Sequence, residues 1–207
     1  MKILDIGANN GDTAKKLCKP GSFVVAVEPS PQQNPNLDGY NIVWENKAVS
    51  DSSTPVVLHF GAADTVNTIN PDWLSQGRFA NYSTNISIMV DATTIDLLWD
   101  KYKGFDHIKI DVEGYENIVF RGMKNCYDCS IQFEYASEWV ETITMPSLDH
   151  LLSLGYTKFN VKSPNEEPDW DPYNLPDDHL TYNELLIKIT SNIKIDPGAW
   201  GMILVRK

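Results

Sequence analysis

Acidic side chains stand at the ends of two apolar segments in the middle of the chain. Asp111 ends the run that begins at His107, Glu113 follows two residues later, and Glu134 ends the run that begins at Ser130. A carboxylate beside a hydroxyl can act as a general base, which contributes roughly 10²- to 10⁴-fold to a rate. Asp111, Glu113 and Glu134 are therefore the candidate catalytic residues. Asp111 is the first choice because the carboxyl end of a strand faces the ligand crevice of an open α/β sheet.

These carboxylates also have structural interpretations. Asp111 and Glu113 precede a predicted helix from Tyr115 to Met123, and acidic residues stabilise a helix N-terminus. His179, in the acidic segment Asp177-Asp178-His179, is an alternative base if its loop closes over the site. The other histidines, at positions 59, 107 and 150, are interpreted as core or surface residues.

We expect no bound metal. Asp111, Glu113 and Glu116 offer oxygen ligands that suit magnesium, but Glu113 and Glu116 at a helix start can simply face solvent. Cys126 and Cys129 have a zinc-like spacing, yet a structural zinc site needs four ligands and the chain has three cysteines.

A glycine-containing segment near the N-terminus predicts a ligand-binding loop. DIGANNGDT, residues 5–13, follows a strand-like run and opens a predicted helix. Gly7 and Gly11 allow a tight turn and close approach to a ligand at the helix N-terminus. A dinucleotide fingerprint, G-x-G-x-x-G, would need glycine where Asn9 stands and a third glycine at another offset. The segment thus departs from the nicotinamide-binding pattern.

The charges of this loop indicate a cationic ligand. Asp5 and Asp12 would repel a pyrophosphate, whereas the ammonium and sulfonium groups of S-adenosylmethionine would not be repelled. Glu28, which ends the second apolar run before Pro29, stands where doubly wound folds bind the two hydroxyls of a ribose. Its structural alternative is a surface glutamate before a turn.

Five segments in order resemble the FkbM family of methyltransferases: DIGANNGDT, VEPSP, NKAVSD, VDATTIDLL and IKIDVEGYE, covering about residues 1 to 125. The resemblance implies that S-adenosylmethionine is the cofactor, that residues of the first segment line its methionine end, and that Glu28 binds its ribose and Ala48 with Val49 its adenine. It also implies O-methylation, with sugar hydroxyls among the substrate classes. The predicted cofactor-binding residues are Asp5, Gly7, Asn9, Asn10, Gly11, Asp12, Thr13, Glu28, Pro29, Ala48 and Val49.

These residues come from distant segments, so they can share one site only if the strands that precede them end at the same edge of a sheet. Apolar runs alternate with helical patterns, so we predict an α/β fold: a Rossmann-like, doubly wound, mostly parallel seven-stranded sheet of the class I methyltransferase type in a single domain over residues 1–207. A helix common in the family before the glycine motif is missing here, which would fit an open pocket or a piece of a longer protein. The predicted strands are Lys2 to Ile6, Phe23 to Val27, Asn41 to Trp44, His107 to Asp111, Ser130 to Glu134, Thr157 to Val161 and Met202 to Arg206, with a helix over Asp12 to Lys19 and a loop after VEPSP.

Two long stretches, Gly61 to Asn85 and Ser163 to Tyr182, are rich in Asn, Asp, Pro and Ser, and loops of this length are usually functional or disordered. Glu166 to Tyr173 interleaves carboxylates with aromatic rings, which suits hydrogen bonding to and stacking on a sugar. The alternative is an acidic surface loop with Trp170 packed on the core.

Composition and charge limit the classes of binding partner. The net charge of −11 and a pI near 4.7 disfavour nucleic acid, and no apolar stretch has the length of a membrane span. We expect a cytoplasmic protein without a signal peptide that acts on a small-molecule or glycan acceptor. The prediction is an S-adenosylmethionine-dependent O-methyltransferase acting on a sugar or glycan hydroxyl. A nicotinamide-dependent oxidoreductase and a catalytically inactive Rossmann-like binding module are the alternatives.

Overall fold

A computed structural model describes residues 1–162, 166–167 and 169–207. Its central element is a seven-stranded sheet with the strand order β10-β11-β9-β8-β1-β2-β3. These strands are β1 (Lys2–Ile6), β2 (Phe23–Val27), β3 (Ile42–Glu45), β8 (His107–Ile110), β9 (Ser130–Ala136), β10 (Lys158–Val161) and β11 (Trp200–Arg206). The seven predicted strands are confirmed, with ends displaced by at most two residues.

The sheet is parallel except for β11, the second strand from one edge. β1 pairs in parallel with β2 and β8, and further parallel pairs join β2 to β3 and β8 to β9, whereas β11 runs antiparallel to β9 and β10. The carboxyl ends of β1, β2, β8 and β9 therefore lie along the same border of the sheet. The mostly parallel, Rossmann-like α/β fold predicted from the sequence is confirmed.

Successive side chains of a strand point to opposite faces of the sheet, and both faces are apolar here. Helices therefore cover both faces. Ile3 packs on one face with Ala14 and Leu17, while Leu4 and Ile6 join the larger core on the other. The helices are α1 (Asp12–Leu17), α2 (Ile95–Tyr102), α3 (Glu116–Arg121), α4 (Met145–Leu154) and α5 (Tyr182–Ile195). Residues 28–41, all described, contain turns and no helix, as predicted from Asn34-Pro35-Asn36.

The segment predicted as a loop from Gly61 to Asn85 is shorter and more ordered than expected. A hairpin of β5 (Val56–Gly61) and β6 (Ser83–Val90) encloses three short 3₁₀ turns, and a two-residue pair joins β4 (Ala48–Val49) to β7 (Ala92–Thr93). We call residues 62–82 the hairpin insert. None of the helices in the described part of the chain is long and apolar enough to cross a membrane.

Candidate functional site

A cavity of about 270 Å³ lies at the carboxyl ends of β1, β2 and β8. The glycine loop forms its floor. The Gly7 and Ala8 amides both donate hydrogen bonds to Val27 O, at 2.9 and 3.1 Å, which hold the loop against the end of β2. Gly7 has φ +80°, and a Cβ there would lie 1.7 Å from Asp111 O. Only glycine therefore allows the loop to cross the end of β8 at this distance.

Glu28 is buried beside this loop. Its Oε2 accepts a hydrogen bond from the Asn9 amide at 3.0 Å and its Oε1 accepts one from the Ser30 amide at 2.9 Å. Burial raises the pKa of Glu28, and the two amides oppose that shift. Each carboxylate oxygen keeps a lone pair that can accept a hydrogen bond from a hydroxyl, so the side chain fits the two hydroxyls of a ribose. The surface alternative for Glu28 is wrong, since only 7% of the residue is exposed.

Most of the predicted cofactor residues line this one cavity: Gly7, Asn9, Asn10, Thr13, Glu28, Pro29, Ala48 and Val49. Three others do not. Gly11 provides the left-handed turn before α1, with φ +80°. Asp12 has a 65% exposed side chain whose Oδ2 accepts a hydrogen bond from Asn10. The third, Asp5, lies beneath the cavity.

Asp5 is fully buried, and neither of its carboxylate oxygens has a hydrogen-bond partner among the described residues. The ammonium of Lys109 is 4.0 Å from Asp5 Oδ1 and donates to Asp111 Oδ2 at 2.9 Å. Burial raises the pKa of Asp5 to about 6 against the attraction of Lys109. Burial lowers the pKa of Lys109, but the charges of Asp111 and Asp5 outweigh it and raise the value overall.

Sequence reasoning missed Lys109. Its signal was a single lysine inside the apolar strand His107–Ile110, at a position whose neighbours are all buried. A lysine there needs a partner because an unpaired buried ammonium is costly.

The hairpin insert closes the cavity from above. Asp64, Thr65, Asn67, Thr68 and Ile69 all line it, and Asn9 Nδ2 donates to Asp64 O at 3.2 Å. The first of the two long stretches singled out in the sequence thus lies over the candidate site.

The three candidate catalytic carboxylates share one region. Asp111 and Glu113 line the cavity, whereas Glu134 does not, and its Oε2 is buried without a hydrogen-bond partner in the described structure. β9 continues two residues beyond Glu134. Burial, followed by the charge of Asp111, holds the pKa of both Glu113 and Glu134 well above the usual range.

Two expectations about neighbouring residues are wrong. Glu116 does not face solvent: it is 2% exposed, and its Oε1 accepts the Val112 amide at 3.2 Å because α3 packs this side chain against the sheet. Burial raises its pKa to about 7. His179 lies with Asp106 and Ser130 at the amino ends of the parallel strands, opposite the cavity, so it cannot serve as the base.

The second long stretch is only partly described, since Ser163, Pro164, Asn165 and Pro168 lie outside the described residues. Trp170 is anchored on the sheet: its indole donates to Met202 O at 3.1 Å and its amide to Gln132 Oε1 at 2.9 Å. The packing of Trp170 on the sheet is observed, and stacking of this segment on a sugar stays a prediction. Beside it lies a second cavity of about 250 Å³, which shares Thr13 and Lys109 with the first.

The charges of the first cavity fit a cationic ligand. Glu28, Asp64, Asp111 and Glu113 line it against Lys47 and Lys109, and Lys109 is already paired with Asp111. This balance disfavours a pyrophosphate and favours an ammonium and a sulfonium. Within the described ranges, His, Cys, Asp and Glu side chains form no group of three or more placed to hold a metal ion.

Comparisons with solved structures give distant similarities. A SAM-dependent methyltransferase from Archaeoglobus fulgidus is 12% identical with a TM-score of 0.43, covering 100% of this chain and 86% of the other. The plantazolicin methyltransferase BpumL in complex with SAH is 10% identical with a TM-score of 0.42, covering 100% and 76%. An S-adenosylmethionine-dependent methyltransferase from Mesorhizobium loti is 10% identical with a TM-score of 0.41, covering 100% and 90%.

Among curated proteins, none matches the chain significantly in sequence. A family model described as the methyltransferase FkbM domain matches residues 5–156, which is more than half of the chain and contains the glycine loop, Glu28 and the three candidate catalytic carboxylates. The chain therefore belongs to the FkbM methyltransferase family, and its cofactor is S-adenosylmethionine, as predicted from the sequence.

Proposed function

We propose that the chain transfers the methyl group of S-adenosylmethionine to a hydroxyl oxygen of a sugar or glycan. The observation that carries this proposal is that Asp111 and Glu113 line the same cavity as the glycine loop and Glu28. A group able to take a proton therefore stands beside the residues that would hold the cofactor. Such a base is needed when the acceptor is a hydroxyl, because its proton must leave as the new bond forms.

In this proposal the chain's main task is to hold two reactants in line. Glu28 would accept hydrogen bonds from the ribose hydroxyls, and Ala48 with Val49 would face the adenine. When bound, the cofactor supplies a methyl group activated by a sulfonium. Orientation of the acceptor against that group supplies much of the acceleration in a displacement of this kind.

Glu113 is the better candidate base, although the sequence favoured Asp111. Asp111 accepts a hydrogen bond from the ammonium of Lys109 at 2.9 Å, so one of its carboxylate oxygens is already engaged. Burial and the charges of Asp111 and Glu116 raise the pKa of Glu113, which makes its carboxylate a stronger base near neutral pH. Glu113 would accept the hydroxyl proton, and Asp111 would orient the acceptor.

A neutral acceptor fits the charges around the site. The chain carries −11 overall, and the second cavity is lined by Glu167, Asp169 and Asp171 as well as Lys16 and Lys19. Lys16, Lys19 and Lys109 balance these three carboxylates, and carboxylates accept hydrogen bonds from sugar hydroxyls, which suits a neutral acceptor. This second cavity borders the first at Thr13 and Lys109, so it is a candidate acceptor site.

Incubation with methyl-labelled S-adenosylmethionine and a panel of neutral glycans, phosphosugars and amines tests the proposal. We expect label in a neutral glycan, at an oxygen, and loss of that label in Glu113→Gln. Label at nitrogen, or preference for the phosphosugars, would contradict the proposed acceptor class.

A further inference from the structure

Glu113 has a backbone conformation that needs external support. Its φ is +54°, in the left-handed region that side-chain-bearing residues rarely adopt. Two side chains of the hairpin insert hold this turn: Thr68 Oγ1 donates to Glu113 O at 2.6 Å, and Asn70 Nδ2 donates to Gly114 O at 2.9 Å. Thr68 also lines the cofactor cavity. The insert therefore contacts both the cavity and the turn that carries Glu113.

The carboxylate of Glu113 is held by the same insert. Trp73 Nε1 donates to Glu113 Oε2 at 2.9 Å, and Trp73 itself is 3% exposed. The indole lies directly on Gly114, where a Cβ would come within 2.2 Å of the ring. Gly114 thus allows the ring to reach the neighbouring carboxylate.

Trp73 is fixed from its other side. Its ring stacks on Trp139, with centroids 5.6 Å apart and an interplanar angle of 29°, and Phe79 packs at 5.6 Å. Arg78 then ties the insert to the segment after β9 by donating to Glu138 at 2.6 and 2.9 Å. An indole clamped in this way presents its N–H in one direction, which preorganises the group that it binds.

We propose that Trp73 is a positioning residue for methyl transfer: its indole N–H fixes the orientation of the Glu113 carboxylate toward the cofactor cavity. The consequence for catalysis rests on the proposed function, whereas the contact itself does not. Loss of the N–H would leave Glu113 free to rotate and would remove a hydrogen bond that favours its ionised form.

Other charges also act on Glu113. Trp73 and Lys109 lower its pKa, whereas burial, Asp111 and Glu116 raise it. The charged groups that face this region are Asp111 and Lys109 at the end of β8, Glu116 on α3, and Glu134 on β9 with Arg78 acting on it. Trp73→Phe leaves all of these in place, so its effect reports on the indole N–H.

The first test follows the indole N–H resonances of the six tryptophans by ¹⁵N NMR in the full chain. The Trp73 signal is the one missing in Trp73→Phe. We expect it to move with pH in the wild type as Glu113 titrates, and to lose that movement in Glu113→Gln. The same pH response in both proteins would overturn the inference. This measurement needs neither cofactor nor acceptor.

The second test compares Trp73→Phe with Trp99→Phe, which removes an indole that stacks on Tyr127 with ring centroids 3.8 Å apart and lines neither cavity. We expect Trp73→Phe to lower kcat about tenfold or more, because a freely rotating carboxylate is seldom aligned. The rise of activity with pH should also move to higher pH, while Trp99→Phe keeps the wild-type profile. Methyl transfer by the wild type with unchanged kcat and pH profile in Trp73→Phe would overturn the positioning role. Absence of methyl transfer to any hydroxyl by the wild type would overturn the proposed function alone, since the NMR test still stands.

Discussion

The ammonium of Lys109 donates to Asp111 Oδ2 at 2.9 Å from a position that is 3% exposed. Its other near neighbour is the buried carboxylate of Asp5, at 4.0 Å. One buried cation thus compensates two carboxylates, that of Asp5 below the cavity and that of Asp111 in the cavity wall. Asp5, predicted to line the methionine end of the cofactor, contributes here through this network, and direct contact with the cofactor stays a prediction.

Lys109→Met should destabilise the fold by about 3–5 kcal/mol, because it leaves the buried carboxylate of Asp5 without its counterion. The loss should be larger at pH 8 than at pH 5, since burial raises the pKa of Asp5 to about 6 and the protonated acid needs no counterion. Urea denaturation at the two pH values measures it. Lys158→Met, an exposed lysine in another strand, is the control. Equal stability of both variants would contradict a role for Lys109 as counterion.

Gly7→Ala should destabilise the protein and abolish binding of S-adenosylhomocysteine. The added Cβ would lie 1.7 Å from Asp111 O, so either the glycine loop or the end of β8 must move. Gly21→Ala is a matched control, because Gly21 has nearly the same φ, +79°, with nothing within 4 Å of the added atom. Melting curves of the two variants separate the backbone clash from the cost of the positive φ. If both lose the same stability, the close approach of the loop to β8 is wrong.

The sheet could be predicted from the sequence because each strand is a local run of apolar residues. The cofactor loop could also be predicted, since Gly7 and Gly11 mark its turns by residue type alone. The role of Lys109 and the burial of Glu116 could not, because both depend on contacts with residues distant along the chain. The position of the hairpin insert above the cavity and the location of His179 at the opposite border depend on loop paths that no local pattern encodes.

Glu116 should make stability fall as the pH rises. Its pKa is about 7 in the folded chain against 4.5 for an ordinary glutamate in the unfolded chain, so the unfolded chain releases this proton first. The protonated acid contributes roughly 3 kcal/mol of stability, which is complete below about pH 4.5 and lost by about pH 7. Glu116→Gln keeps the oxygen that accepts the Val112 amide. It should raise Tm at pH 8 and leave it little changed at pH 4. A lower Tm at pH 8 would show that the charged form is stabilised.

Among amide variants at the three candidate positions, Glu113→Gln should lose the most turnover, roughly 10²- to 10⁴-fold, with S-adenosylhomocysteine affinity retained. Asp111→Asn should raise the acceptor KM, and Glu134→Gln, which lies outside the cavity wall, should have the smallest effect. Steady-state kinetics on a verified acceptor provides the ranking. Near-normal turnover in Glu113→Gln would return Asp111 to the role of base.

Calorimetric titration with S-adenosylhomocysteine, and with NAD in parallel, measures whether the glycine loop and Glu28 form the cofactor cavity. We predict one site per chain for S-adenosylhomocysteine and much weaker binding of NAD. Glu28→Ala should bind S-adenosylhomocysteine at least about tenfold more weakly, because hydrogen bonds to a charged group contribute roughly 1.5–3 kcal/mol each. Tighter binding of NAD, or unchanged affinity in Glu28→Ala, would contradict the account.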